Sequence, residues 1–128
     1  STTESASYFF GGDTGYCSMF SKAGDLYGPL HLSAIPMGAY GHESEAWFHQ
    51  TNHMNPEEAV LCHMDLKSKY SIGIHWGTFQ LTAEDLMEPP KRLKAALLDE
   101  GLAEDSFVVL DHGESRTFLL DDKENKAM

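Results

Sequence analysis

Asp13 and His75 each stand at the end of an apolar run. Asp13 follows Tyr8-Phe9-Phe10 and Gly11-Gly12, and His75 follows Tyr70-Ser71-Ile72-Gly73-Ile74. A carboxylate and an imidazole at two strand ends can share a cation. Carboxylate oxygens and imidazole nitrogens both ligate zinc, and a carboxylate can bridge two metals. Each residue also has a plainer use. Asp13 can cap its own turn through Asx geometry. A histidine closing an apolar strand can be a buried group with a satisfied hydrogen bond. Spacing alone leaves both readings open. His53 precedes a strong helix start, where it can donate to an anion held at the helix end, or it is an exposed loop histidine. Trp47 and Phe48 can line an acyl groove or pack their loop onto the domain. His49 and His53 have i,i+4 spacing, but the residues between them do not read as helix. No HExxH pair, P-loop, nucleophile elbow or dinucleotide fingerprint is present.

Side chains so far apart in sequence need a folded sheet to bring them together. Residues 6–10 read as a short buried strand stopped by Gly11-Gly12. Met19, Phe20, Ala23 and Leu26 fall at helical spacing over 17–26, and Gly28-Pro29 ends that element. Residues 31–37 read as a second strand and 38–54 as a long loop, a kind of segment that often carries function. Asn55, Pro56, Glu57 and Glu58 form a strong helix start. Residues 70–75 read as a third strand. Thr82 with Asp85 suggests a helical turn interrupted by Pro89-Pro90. Pro90 opens another helix with an apolar stripe of Leu93, Ala96 and Leu97, ended by Gly101. Residues 106–110 and 116–120 read as a fourth and a fifth strand. The alternation predicts an α/β or layered α+β arrangement. Residues 1–5 and 121–128 are expected to be disordered ends of one domain spanning 6–120.

The chain has 128 residues, 41% of them hydrophobic, and a formal charge of -11. That charge argues against sequence-independent nucleic-acid binding, which needs basic surface to displace counterions. Cys17 and Cys62 show no CxxC spacing or disulfide framework and are expected to be reduced and largely buried. No apolar run approaches the roughly 20 residues that span a bilayer. Gly113-Glu114-Ser115-Arg116 reads as a turn with a local charge pair.

Six segments in order carry a more specific signal: residues 10–17 (Phe10 to Cys17), 34–40 (Ala34-Ile35-Pro36-Met37-Gly38-Ala39-Tyr40), 53–60 (His53 to Val60), 74–79 (Ile74-His75-Trp76-Gly77-Thr78-Phe79), Glu88-Pro89-Pro90, and 112–116 (His112 to Arg116). Together they resemble the C-terminal half of the N-acylphosphatidylethanolamine-hydrolysing phospholipases D, a family within the metallo-β-lactamase superfamily, over about residues 7–120. The resemblance implies half of an αββα sandwich with a pair of zinc ions between its sheets. It implies a phospholipid substrate, a peripheral membrane location inside the cell and no nucleic-acid partner. Asp13 is then the bridging carboxylate and His75 a terminal zinc ligand. His53 faces the substrate phosphate and takes a catalytic part beside Asp13, and Asn52 stands where the family commonly has Gln. Trp47 and Phe48 border the lipid groove. The family's other ligands come from an upstream HxHxDH motif, which these residues lack. The chain is therefore expected to be a fragment, nearly inactive alone, with an uncovered sheet face that favours a homodimer or larger aggregates. The alternatives are another phosphodiesterase or lactonase of the superfamily, and a non-catalytic half-domain that binds lipid or a partner.

Overall fold

The computed structural model describes residues 5–120. Four parallel strands form one sheet in the order β1-β2-β3-β4: β1 Tyr8–Phe10, β2 Leu30–Pro36, β3 Ser68–Ile74 and β4 Phe107–Val108. Parallel neighbours need crossovers, supplied by α1 (Met19–Tyr27), α3 (Pro56–Asp65) and α4 (Glu88–Asp99). A short helix α2 (Ala46–His49) lies between β2 and α3. The helix α3 packs on β2 and β3, with α1 and α4 at its flanks. This is the α/β arrangement that the alternation predicts.

Side-chain alternation divides the sheet. On the helix side, Ile35, Phe107 and Phe9 join a core containing Phe20, Met37, Met54, Val60, Leu66, Leu93 and Leu97. On the other side, Leu32 pairs with Tyr70 and Ala34 with Ile72. Leu32, Tyr70, Ile72 and Ile74 are half-buried, while Tyr8 and Phe10 are 59% and 66% exposed. Part of this second face is overlaid: the Phe118 ring lies 5.1 Å from that of Tyr70, and Lys69 Nζ donates to the Leu120 carbonyl at 2.6 Å.

The helix start at Asn55 is as expected. The Asn55 side chain accepts from the Glu58 N–H, and the Glu58 carboxylate accepts from the Asn55 N–H, completing a capping box.

Several expectations fail for physical reasons. The first strand is an exposed edge, because among the described residues it pairs only with β2. In α1, Met19 and Leu26 are exposed and the buried residues are Phe20 and Gly24. Residues 38–54 contain a 3-10 turn (Glu43–Glu45) and α2 rather than unbroken loop. Pro89 and Pro90 lie in the first turn of α4, where no amide donor is needed, so they start the helix rather than interrupt it. Residues 82–84 form bends, and 116–120 form no strand. Cys62 is buried but Cys17 is exposed. Burial pushes the Cys62 thiol well above its ordinary range. The Gly113 turn does carry its charge pair, Arg116 to Glu114 at 3.6 Å. Residues 1–4 and 121–128 lie outside the described residues.

Candidate metal and phosphate site

The carboxyl ends of β1 and β3 meet at one edge of the sheet, the region where open α/β sheets bind ligands. Asp13 lies in the turn after β1. Two residues on, Gly15 lets this turn press against residues 50 and 51: a Cβ on Gly15 would stand 2.2 Å from the Gln50 carbonyl oxygen. That contact brings Asp13 to His53, which stands two residues before Asn55, the cap of α3. His75 follows β3 with φ at +61°, a left-handed conformation that is costly for a residue with a Cβ.

Asp13 Oδ1 lies 3.1 Å from His53 Nε2 and 3.7 Å from His75 Nε2. Donor atoms of all three residues fall within 4.8 Å of one another. A tetrahedral zinc with ligands about 2.0–2.1 Å away holds its donors roughly 3.3 Å apart, so the spacing and donor chemistry suit a divalent cation. Asp13 is 59% exposed at its side chain, whereas His53 and His75 are 21% and 24% exposed. Among the described residues, the buried side-chain atoms without a hydrogen-bond partner are Nδ1 of His53 and Nδ1 of His75. With these nitrogens turned into protein, both Nε2 atoms are left to face the carboxylate.

Rings run outward from the cluster. His75 and His53 stack at 5.3 Å, His53 and His49 lie 6.0 Å apart, Phe48 meets His49 edge-on at 5.1 Å, and Trp47 meets Phe48 at 5.7 Å. Trp47 and Phe48 are 73% and 62% exposed, so they do not pack their loop onto the domain. They form the solvent end of a ring series that leads to His75. His49 and His53 are brought together because the segment coils after all: the His53 N–H donates to the His49 carbonyl at 2.9 Å. His49 itself turns to Glu45 at 3.7 Å and stays out of the cluster. Asn52 is exposed, and its N–H is bound to His49.

An apolar cavity of about 280 Å³ opens beside His75, lined by Ala39, Trp76, Phe79, Leu81, Leu86 and Pro89 among others. One carboxylate borders it: Glu84, 8% exposed. On the other side of His53, a more polar cavity is lined by Tyr40, His49, Asn55 and Arg92 among others. There Arg92 stacks on Tyr40 at 4.6 Å and grips Glu57 at 2.8 Å.

Asp13, His53 and His75 were therefore visible as separate sequence features, and the fold unites them. Glu84 was not visible. It falls in an irregular segment with no period to show that a side chain points inward. The cavity was missed for the same reason, because Phe79, Leu81 and Leu86 line it from the same irregular segment.

Residues 2–76 match a family model described as "Beta-lactamase superfamily domain". The chain is 45% identical over 115 residues to N-acyl-phosphatidylethanolamine-hydrolyzing phospholipase D 1 of Caenorhabditis elegans, covering 87% of this chain and 31% of that protein. It is 35% identical to the mitochondrial N-acyl-phosphatidylethanolamine-hydrolyzing phospholipase D of Saccharomyces cerevisiae, covering 67% of this chain and 18% of that one. The chain thus spans less than a third of either relative. Among solved structures, it resembles Igni18, a metallo hydrolase of Ignicoccus hospitalis, with a TM-score of 0.59, 27% identity and coverage of 86% of this chain and 40% of that one.

Proposed function

The chain belongs to the beta-lactamase superfamily, and on that footing we propose that it forms part of a zinc-dependent phospholipase D. The reaction is hydrolysis of N-acylphosphatidylethanolamine to phosphatidic acid and an N-acylethanolamine. The observation that carries this reading is the convergence of Asp13, His53 and His75 beside an apolar cavity, in a chain 45% identical over most of its length to the C. elegans phospholipase D.

In this reading Asp13 and His75 hold the metal. Divalent cations bound there supply Lewis acidity and an activated water. His53 Nε2, against the same carboxylate oxygen, is placed to donate to a phosphate oxygen. The apolar cavity takes part of an acyl chain, and Trp47 and Phe48 form the rim over which lipid enters, with Asn52 at the turn between them and His53. The work is done at a membrane surface. Among the described residues, no helix is long and apolar enough to cross one.

Catalytic zinc sites take about three protein ligands per ion plus an open position. A two-ion site therefore needs more donors than these three, and residues 1–128 contain no HxHxDH run. We assign the missing donors to such a segment of the longer enzyme and expect the chain alone to be nearly inactive.

The test joins residues 1–128 behind the HxHxDH-bearing segment of a family member. Zinc and N-acylphosphatidylethanolamine in mixed micelles are added, and phosphatidic acid is scored by mass spectrometry. Product that disappears with Asp13→Asn supports the reading. Hydrolysis of a lactone and not the phospholipid would assign the chain to another branch of the superfamily. His53→Ala should lose phosphate turnover while keeping most zinc; an equal loss of zinc would move His53 to the metal.

A further inference from the structure

The turn after β2, residues 37–41, backs directly onto the turn that carries His75. The Met37 N–H donates to the Ile74 carbonyl at 3.0 Å, the last bond before the two strands part. A Cβ on Gly38 would stand 2.2 Å from the His75 carbonyl oxygen, so the two backbones touch. Ala39 follows with φ at +63°, as left-handed as His75 itself. Ala39 and Tyr40 are nevertheless buried, at 4% and 6% exposed. Ala39 and His75, two non-glycine residues in left-handed conformation on touching turns, must be held there by their surroundings.

The hold is Glu84. Its Oε2 accepts from the Ala39 N–H at 3.0 Å, and its Oε1 accepts from the Gly41 N–H at 2.7 Å. The Thr82 hydroxyl donates to Oε1 as well. Gln80 Nε2 then fastens the segment around Glu84 by donating to the carbonyls of Thr82 at 2.8 Å and Glu84 at 2.5 Å. Burial pushes the Glu84 carboxyl up, but the Thr82 hydroxyl and the backbone N–H groups of Gly41, Glu84 and Ala39 outweigh it and keep the group ionised. The carboxylate thus ties residues 39–41 to residues 80–84, which flank the apolar cavity.

We propose that Glu84 is a positioning residue: by clamping the Ala39–Gly41 backbone against the His75 turn, it sets the direction of the His75 imidazole toward Asp13. It touches no reacting atom and acts only through the backbone. This rests on the reading of Asp13 and His75 as metal donors. Outer groups that orient a metal-ligating histidine typically change metal affinity by about 10- to 100-fold when removed.

The experiment titrates the 128-residue chain with Co²⁺, following its visible d–d absorption, in wild type, Glu84→Gln and Thr82→Ala. A glutamine keeps the size of the side chain but presents an N–H₂ where one backbone N–H needs an acceptor. Glu84→Gln should weaken cobalt binding about tenfold or more and alter the absorption band. Thr82→Ala should weaken it less, in the same direction. A merely structural role would lower the melting temperature and leave the affinity and band of the folded protein unchanged. Cobalt binding by folded Glu84→Gln within about twofold of wild type would overturn the proposal. If Glu84→Gln does not fold, unchanged binding by Thr82→Ala overturns it on the same criterion. If wild type takes up no cobalt, these residues do not hold a metal without the further donors. The clamp is then decided by imidazole ¹H–¹⁵N correlations: His75 shifted and His63 unshifted in Glu84→Gln or, failing that, Thr82→Ala supports it, and an unmoved His75 overturns it.

Discussion

Asp13 and His75 stand out because each ends an apolar run, yet an Asx turn and a buried histidine would look the same there, and only their convergence in the fold separates the two readings. Histidines inside elements are harder to sort. His63 lies on α3, 4% exposed, with its Nδ1 2.6 Å from the Ser71 hydroxyl oxygen. Burial pulls its pKa down from 6.5 to about 4. The unfolded chain then takes a proton at a pH where the folded chain refuses one. Stability is therefore fully present above about pH 6.5 and falls as the pH drops toward 4. The loss over that window is about 3 kcal/mol at about 1.4 kcal/mol per pH unit. Melting curves at neutral pH and near pH 4.5 measure it, and His63→Gln should flatten the difference. An equal drop in wild type and variant would remove His63 as the cause. Glu84 was hidden in the sequence because an inward-facing carboxylate in an irregular segment looks the same as a solvated one.

Elements with local chemical signals were the most legible. The start of α3 could be read residue by residue, since Asn55, Pro56 and Glu58 each perform a known task at a helix end. Asn55→Ala removes the acceptor for the Glu58 N–H and should cost about 1 kcal/mol, read as a lower urea midpoint. No change would mean that the box contributes nothing beyond its neighbours. Elements whose form depends on tertiary partners were read less well. The stripe assigned to α1 was half wrong because Gly24, with no side chain to show, is what meets α3: a Cβ there would stand 1.9 Å from the Asp65 carbonyl oxygen. Residues 116–120 have strand-like composition but no ladder partner, and they lie over the open sheet face as irregular chain. The coil that draws His49 and His53 together carries no propensity signal either. It is held by bonds such as Asn52 N–H to the His49 carbonyl at 3.0 Å.

At the scale of the molecule, the described residues form a single sheet with helices on one face, and among them the second face is apolar and only partly overlaid. Tyr8 and Phe10 are exposed on it and Leu32, Ile72 and Ile74 half-buried, and contiguous apolar surface of this kind favours association. The chain alone should therefore self-associate, at its simplest as a dimer, with the sedimentation coefficient rising with concentration. A monomer at every concentration would contradict this. The site lies at the edge of the same sheet, where Asp13, His53 and His75 are brought together. The most direct measurement is zinc titration of the purified 128-residue chain by calorimetry, alongside Asp13→Asn and His75→Ala. Wild type should take up fewer than two equivalents of zinc, and each variant should bind it at least about tenfold more weakly. Two tightly held zinc ions, or uptake unchanged by both substitutions, would contradict this.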